Sequence, residues 1–320
     1  MALAMVVVAV GTEPVRVATF NLRNYLVCDR SVEGVWRKQY PKPEKEKAAI
    51  RSIVSKVKPE VLALQEVGPE PFLRELQKDL QTAGDSYPHH AWMEAEDENR
   101  HLAVLSKIPI LETRPHDGLD FKYFDGRENI RRGLLEVVFE TNGVKWSLFV
   151  VHLKSKWTER KDDFEAATRR TGEARAARDF IKKTYPAADS PRYLVAGDFN
   201  DHRDSAPLRR FLKSGDTSLT SIVPAADSRG ETWTHYWKKR DLYSRVDFFL
   251  ATPYMQERIK DGRGVVVDLA EARVASDHRM VHLDLIFKAP EKERSPEKGR
   301  FPEKERSQEK ERSPVRFPSP

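Results

Sequence analysis

The chain has 320 residues, 39% hydrophobic and 9% aromatic, which is enough for one large layered domain or two smaller ones. Its 56 basic and 50 acidic residues leave a formal net charge of +6, compatible with an anionic substrate but short of the concentrated basic charge of a protein that lives on nucleic acid. A single cysteine, Cys28, excludes an internal disulfide and a cysteine-built zinc centre, and no run reaches the ~20 apolar residues of a membrane helix.

Residues 1–14 begin with the apolar run MALAMVVVAV and no basic segment before it. This reads either as a truncated signal peptide, which would point to export, or as a disordered leader. Residues 16–20 (RVATF) form a short strand that delivers Asn21, and residues 22–41 show no period and read as a loop. Pro43 opens a helix to about Lys56, with Ala48, Ala49, Ile53, Val54 and Val57 as its apolar stripe. Pro59 stops it, and residues 61–65 (VLALQ) make a buried strand that delivers Glu66. A second helix starts at Pro71, with Phe72, Leu73, Leu76 and Leu80 at helical spacing.

Strands then dominate, at residues 102–105, 108–111, 134–139 and 146–153, which points to antiparallel pairing. Residues 112–132 read as a long aromatic and charged loop. Residues 166–185 form the longest helix. Its six basic residues (Arg169, Arg170, Arg175, Arg178, Lys182 and Lys183) read as a solvated face in preference to a nucleic-acid face.

The stretch RYLVAGDFND follows. Tyr193 to Ala196 suit one buried strand, Gly197 allows a turn, and Asp198 and Asn200 share a face if the extended conformation persists. Residues 207–213 read as a short helix, TWTH (232–235) precedes a strand at 246–250 that carries Asp247, and Ser276, Asp277 and His278 precede a last strand at 280–287. Residues 15–288 contain no internal repeat and read as one domain. Residues 289–320 repeat Glu, Lys, Arg, Ser and Pro, with nine basic and seven acidic residues, and read as a disordered tail whose partner the sequence does not identify.

The polar residues at strand ends are Asn21, Glu66, His152, Asp198, Asn200, Asp247, Asp277 and His278. Strand ends on one edge of a sheet can converge. A pocket of carboxylates, amides and imidazoles without a thiol suits Mg²⁺ or Mn²⁺, the equipment for activating water against a phosphoester. Each residue also has a structural reading alone: Asp198 and Asn200 as an Asx turn, His152 as a hydrogen-bonded core histidine, Asp277 as a turn cap. The force lies in the set and its order.

That set resembles the endonuclease/exonuclease/phosphatase superfamily, the DNase I-like fold, as a bacterial-type member. The matching stretches are TFNLRN, LALQEV, VVHLKS, VAGDFND, SRVDFFL and SDHRMV, with LAVLSKIPI, TWTH and Arg132 also similar. The resemblance implies a four-layer αββα sandwich of two packed mixed sheets flanked by helices. It implies Glu66 as principal metal ligand with Asn21 and Asp277, and Asp198 handling the attacking water or the leaving oxygen. His278, oriented by Asp247, would serve the other proton, and Asn200, His152 and Arg132 would contact nonbridging phosphate oxygens. Which of Asp198 and His278 activates water stays open.

The family's acidic or tyrosine position before the strand at Leu102 has no clear counterpart in Asp97, Glu98, Asn99 and Arg100, and cysteine-containing phosphatase signatures are missing. The expected function is metal-dependent phosphodiester hydrolysis by a monomer, first as a nuclease on DNA or RNA, with a phosphatase or a sphingomyelinase-like lipid-headgroup enzyme as alternatives. A noncatalytic binding scaffold is disfavoured, because all eight strand-end positions are filled.

Overall fold

In the computed structural model, which describes residues 13–288, the strand Val15–Tyr25 shows the rule that builds the molecule. Val15 and Val17 enter one apolar cluster, whereas Ala18, Phe20 and Leu22 enter another on the opposite face. Two apolar faces must both be covered, so this strand lies inside a sheet packed on each side.

Seven strands make that sheet, in the order Ala225–Ala226, Gly264–Val266, Val281–Leu285, Val15–Tyr25, Val61–Val67, His101–Ser106 and His89–Met93. A second sheet of six runs Ser221–Ile222, Asp247–Ala251, Tyr193–Asp198, Val144–His152, Leu134–Thr141 and Ile110–His116. Both are mixed. Val15–Tyr25 is parallel to Val61–Val67 and antiparallel to Val281–Leu285, while Tyr193–Asp198 is parallel to Val144–His152 and antiparallel to Asp247–Ala251.

Between the sheets, Val17, Ala63 and Val104 share a buried cluster with Val137, Leu148, Val150, Leu194 and Phe249. Each fully buried aliphatic side chain there contributes about 1.5–3 kcal/mol. Helices α1 (Glu44–Val57) and α2 (Glu70–Thr82) cover the far face of the first sheet through Ile50, Ile53, Leu73 and Leu76. Helices α3 (Ala167–Thr184) and α4 (Ala206–Leu212) cover the far face of the second through Ala177, Ile181, Leu208 and Phe211. The layers are therefore helix, sheet, sheet, helix, as the resemblance implies.

Several elements depart from the sequence expectation. The first strand continues to Tyr25, with a register shift against its neighbour after Asn21. Residues 22–41 contain a hairpin, Cys28–Val32 with Val35–Tyr40, whose largely exposed side chains leave no apolar period to read. Residues 112–132 are not one loop. Ile110–His116 is an edge strand exposed along much of its length, and Asp120–Tyr123 pairs with Gly126–Asn129.

The basic face of α3 is only partly solvated. Arg170 is buried, paired with Asp201 at 2.8 Å and bonded to the Lys154 carbonyl, and buried Arg178 donates to the Lys213 carbonyl. The apolar leader through residue 12 and the tail from residue 289 lie outside the described residues. Among the described residues no helix is long and apolar enough to cross a membrane.

Gly197 does not turn the chain. The strand runs on to Asp198, and glycine is required because a Cβ at φ +142° would lie 2.0 Å from the Val151 carbonyl oxygen of the adjacent strand. Gly197→Ala should therefore lower stability by about 1–3 kcal/mol, the range for overpacking a close-packed interior. Urea unfolding of the two proteins measures this, and equal midpoints would contradict the close approach.

Candidate active site

The alternation that builds the inner core also carries polar groups to its end. On the inner faces, Val15 and Val17 are followed by Thr19 and Asn21, Leu148 and Val150 by His152, and Leu194 and Ala196 by Asp198. In the antiparallel neighbour, Ala251 and Phe249 lead back to Asp247. Register pairs His152 with Asp198 and Asp198 with Asp247, so three adjacent strands present their polar groups side by side. Asn21, His152, Asp198 and Asp247 are each almost fully buried.

Glu66 arrives differently. Simple alternation after inner-facing Gln65 would turn it away, but its backbone is left-handed, φ 61°, where the pairing with the first strand shifts register. A left-handed conformation disfavours a residue with a Cβ by roughly 1–2 kcal/mol, and strain of this kind gathers at functional sites. The carboxylate accepts the Asn24 backbone N–H at 2.8 Å and the Asn21 Nδ2 at 3.3 Å.

Asp198 is the hub. Its Oδ2 accepts Asn21 Nδ2 at 3.0 Å and lies 3.5 Å from His152 Nε2 and 3.8 Å from His278 Nε2. Its Oδ1 accepts the Asn200 backbone N–H at 2.8 Å, so an Asx turn is present after all. Asn200 is left-handed, φ 52°, and donates through Nδ2 to the Leu153 carbonyl, which ties it to the His152 strand. His278 Nδ1 meets Asp247 Oδ2 at 2.9 Å.

Supporting groups hold these in place. Thr234 Oγ1 accepts the Val246 and Asp247 backbone N–H groups, and Ser276 Oγ accepts from His278 N while donating to the Asn21 carbonyl. The His235 ring lies 4.6 Å from that of His278. Asp277 is partly exposed and faces Arg23 at 3.5 Å. Arg132 is buried and donates from Nε to Asp97 Oδ2 at 2.8 Å.

The electrostatics separate the roles. Burial raises the Asp198 carboxyl to about 7, with the nearby His278 cation opposing the rise and Asp247 adding to it. Burial works against charge on His278, yet Asp247 and Asp198 hold it well above the usual imidazole range. His152 is held well below that range by burial and by the Arg132 charge, so it is neutral. Asp277 stays below the usual carboxylate range despite its partial desolvation, through the charges of His278 and Arg23.

Ligand atoms of Asp198, Asp247 and His278 all fall within 4.8 Å of one another. A protonated imidazole has no lone pair to give a metal, so this trio is better suited to moving protons than to holding an ion. The oxygens that fit a hard cation lie on the Glu66 side.

The eight strand-end residues thus fall into connected groups. Asn21, Glu66, His152, Asp198, Asn200, Asp247 and His278 are linked by contacts of 4.0 Å or less, while Asp277 is next in chain to His278 and faces Arg23. Sequence reasoning missed Arg23, Asp97, Arg100, Thr234, His235 and Ser276 as parts of the site. Ser276 was signalled by its place in the SDH stretch, and Thr234 and His235 by the TWTH stretch. Arg23 sits where the first strand turns left-handed, φ 48°, and Arg100 in the loop before His101–Ser106, so no period predicts their direction.

A model of the Endonuclease/Exonuclease/phosphatase family matches residues 18–278, almost the whole described chain. The protein belongs to that family. No curated protein matches the sequence. Among solved structures, sphingomyelinase C from Streptomyces griseocarneus is similar at 20% identity and TM-score 0.58, covering 86% of this chain and 100% of that one. An endonuclease/exonuclease/phosphatase family protein from Leptotrichia buccalis is similar at 15% identity and TM-score 0.60, with coverage of 85% and 99%. A beta toxin variant from Staphylococcus aureus with bound magnesium ions is similar at 17% identity and TM-score 0.57, with coverage of 85% and 99%. At these identities the likeness is one of fold.

The Asp198 carboxyl gives a pH signature in chelator-treated protein. Its folded pKa of about 7 exceeds the unfolded value of about 3.9, so between these the native state holds a proton that the unfolded chain has lost. Stability should fall as pH rises from about 4 to about 7. Asp198→Asn should flatten that part of the profile in urea titrations; an unchanged slope would contradict the assignment.

Proposed function

We propose that the protein hydrolyses phosphodiester bonds of nucleic acid with the help of a divalent cation. The observation that supports this most is the juxtaposition of Asp198 with two groups of different kind: Asn21 and Glu66 on one side, His278 backed by Asp247 on the other. A carboxylate poised near neutrality beside an imidazolium oriented by a second carboxylate is the pairing that general acid–base catalysis needs.

Glu66 and Asn21 with Asp277 would hold the cation, and an all-oxygen set without thiol fits Mg²⁺ or Mn²⁺. When bound, such an ion polarises the phosphoryl oxygen and offsets its charge. Asp198 is the base that takes a proton from the attacking water, in line with the bond to be broken. His278 stabilises the developing charge and supplies the departing oxygen with its proton, with Asp247 keeping its ring oriented. Neutral His152, the Asn200 amide and Arg132 face the nonbridging oxygens.

Nucleic acid is favoured by a cleft of about 580 Å³ that includes Asp277 in its wall. Arg23, Arg273, Lys238 and Lys239 line it together with Trp233, Tyr236 and Trp237. Cations that meet successive phosphates beside aromatic faces that stack on bases are the elements of a strand-binding groove. A lipid-headgroup phosphodiesterase is the second reading, because Trp237, Leu242 and Tyr243 of the hairpin His235–Trp237 with Leu242–Ser244 are exposed and would also suit a membrane surface.

Purified protein should degrade plasmid DNA or RNA with Mg²⁺, and EDTA or Glu66→Ala should stop it. His278→Ala should lower kcat by about 10²- to 10⁴-fold. Replacing Lys238 and Lys239 by alanine should reduce the slope of log affinity against log salt by about 0.7 per lost contact on single strands. Turnover of sphingomyelin with none of nucleic acid would transfer the function to the second reading, and activity that survives both EDTA and Glu66→Ala would refute the metal-dependent mechanism.

A further inference from the structure

A second buried carboxylate organises the wall of the site beyond Glu66. Asp97 is only 3% exposed and lies in the loop before the strand His101–Ser106. Its Oδ2 accepts Arg132 Nε at 2.8 Å, and its Oδ1 accepts the backbone N–H groups of Asn99 at 3.3 Å and Arg100 at 3.2 Å. Its own N–H donates to the Arg131 carbonyl at 2.9 Å. One side chain therefore fixes both the guanidinium of Arg132 and the backbone from which Arg100 extends.

Both arginines are left short of acceptors. Arg132 is 7% exposed, and its buried Nη1 has no hydrogen-bond partner. A buried donor without an acceptor is unfavourable enough that most such groups in native proteins have a reason to be there. Arg100 Nε stands 3.8 Å from Glu66 Oε2, too far for a hydrogen bond, and its side chain is 34% exposed. A cation on Glu66 would repel this guanidinium and leave it seeking an anion on the same side of the site as Arg132. An anion with several oxygens would satisfy both at once.

We infer that Arg100 and Arg132 form a two-guanidinium clamp on a phosphate group of the substrate, with Asp97 as the residue that positions it. The inference rests on the phosphodiesterase reading for its substrate but adds a binding residue, Arg100, and a positioning residue, Asp97. A flexible ammonium in place of Arg100 would keep the charge and lose the planar fork.

The test compares wild type with Arg100→Ala, Arg100→Lys and Asp97→Asn by two readouts. The first is inorganic phosphate affinity at saturating Mg²⁺, followed by ³¹P NMR. Arg100→Ala and Asp97→Asn should each weaken it by about ten- to a hundred-fold, the value of one hydrogen bond to a charged group, with Arg100→Lys in between. The second is hydrolysis of bis(p-nitrophenyl) phosphate with Mg²⁺, where Arg100→Ala should raise KM more than it lowers kcat. Equal phosphate affinity in wild type and Arg100→Ala overturns the clamp, including when Arg100→Ala binds Mg²⁺ more tightly, since Arg100 then only neutralises Glu66. If the wild type hydrolyses no diester but the affinity differences hold, the phosphodiesterase reading fails and the clamp stands. Should Asp97→Asn not fold, the Arg100 variants decide alone.

Discussion

Asp198 is a carboxylate at the end of an apolar interior, and the site is the set of groups that makes its burial tolerable. With 1% of its surface exposed, it depends on the Asn21 amide, the Asn200 backbone and the imidazoles of His152 and His278 for its hydrogen-bonding and charge environment. Each of those partners comes from a different segment. Shifting any one strand by a single residue would turn its polar end group to the opposite face and cost the carboxylate one of these partners. The register of the central strands is thus at once a requirement of the core and a requirement of the chemistry.

The same constraint explains where the backbone departs from ideal geometry. Glu66 and Asn200 both occupy the left-handed region: at Glu66 strand alternation alone would turn a needed carboxylate away, and at Asn200 the turn brings the backbone N–H onto Asp198 Oδ1. Packing by the surrounding layers offsets the local strain. Gly197 belongs to the same logic from the other side, since the close approach of Val151 lets the Asp198 strand sit tightly enough to register with His152.

Much of this was legible in the sequence for a definite reason. Val17, Leu148, Val150, Leu194 and Ala196 alternate or run apolar up to a polar residue, so the strands and their end groups could be read together. Order along the chain then matched a known family over residues 18–278. What could not be read was direction in irregular backbone. Glu66 was read as a strand-end group without its left-handed turn, and Arg100 and Asp97 sit in a loop whose side-chain positions are set by contacts with Arg132 and Glu66. The continuation of the edge strand Ile110–His116 beyond Leu111 and the hairpin Cys28–Val32 with Val35–Tyr40 escaped because exposed strands carry little apolar signal. On α3 the error was the reverse, since Arg170 looks like surface charge by composition and is a buried tie to Asp201.

The division of labour between Asp198 and the His278–Asp247 pair is the centre of the account. The most direct measurement is kcat/KM against pH for bis(p-nitrophenyl) phosphate, in wild type and Asp247→Asn. Asp198 must be ionised and His278 protonated, so the wild-type profile should be bell-shaped. Removing the Asp247 charge lowers the His278 pKa and should move the alkaline limb to lower pH, with the acid limb moving the same way by less, because Asp247 also raises the Asp198 carboxyl. Superimposable alkaline limbs in the two proteins would contradict the assignment of His278 as the proton-bearing partner.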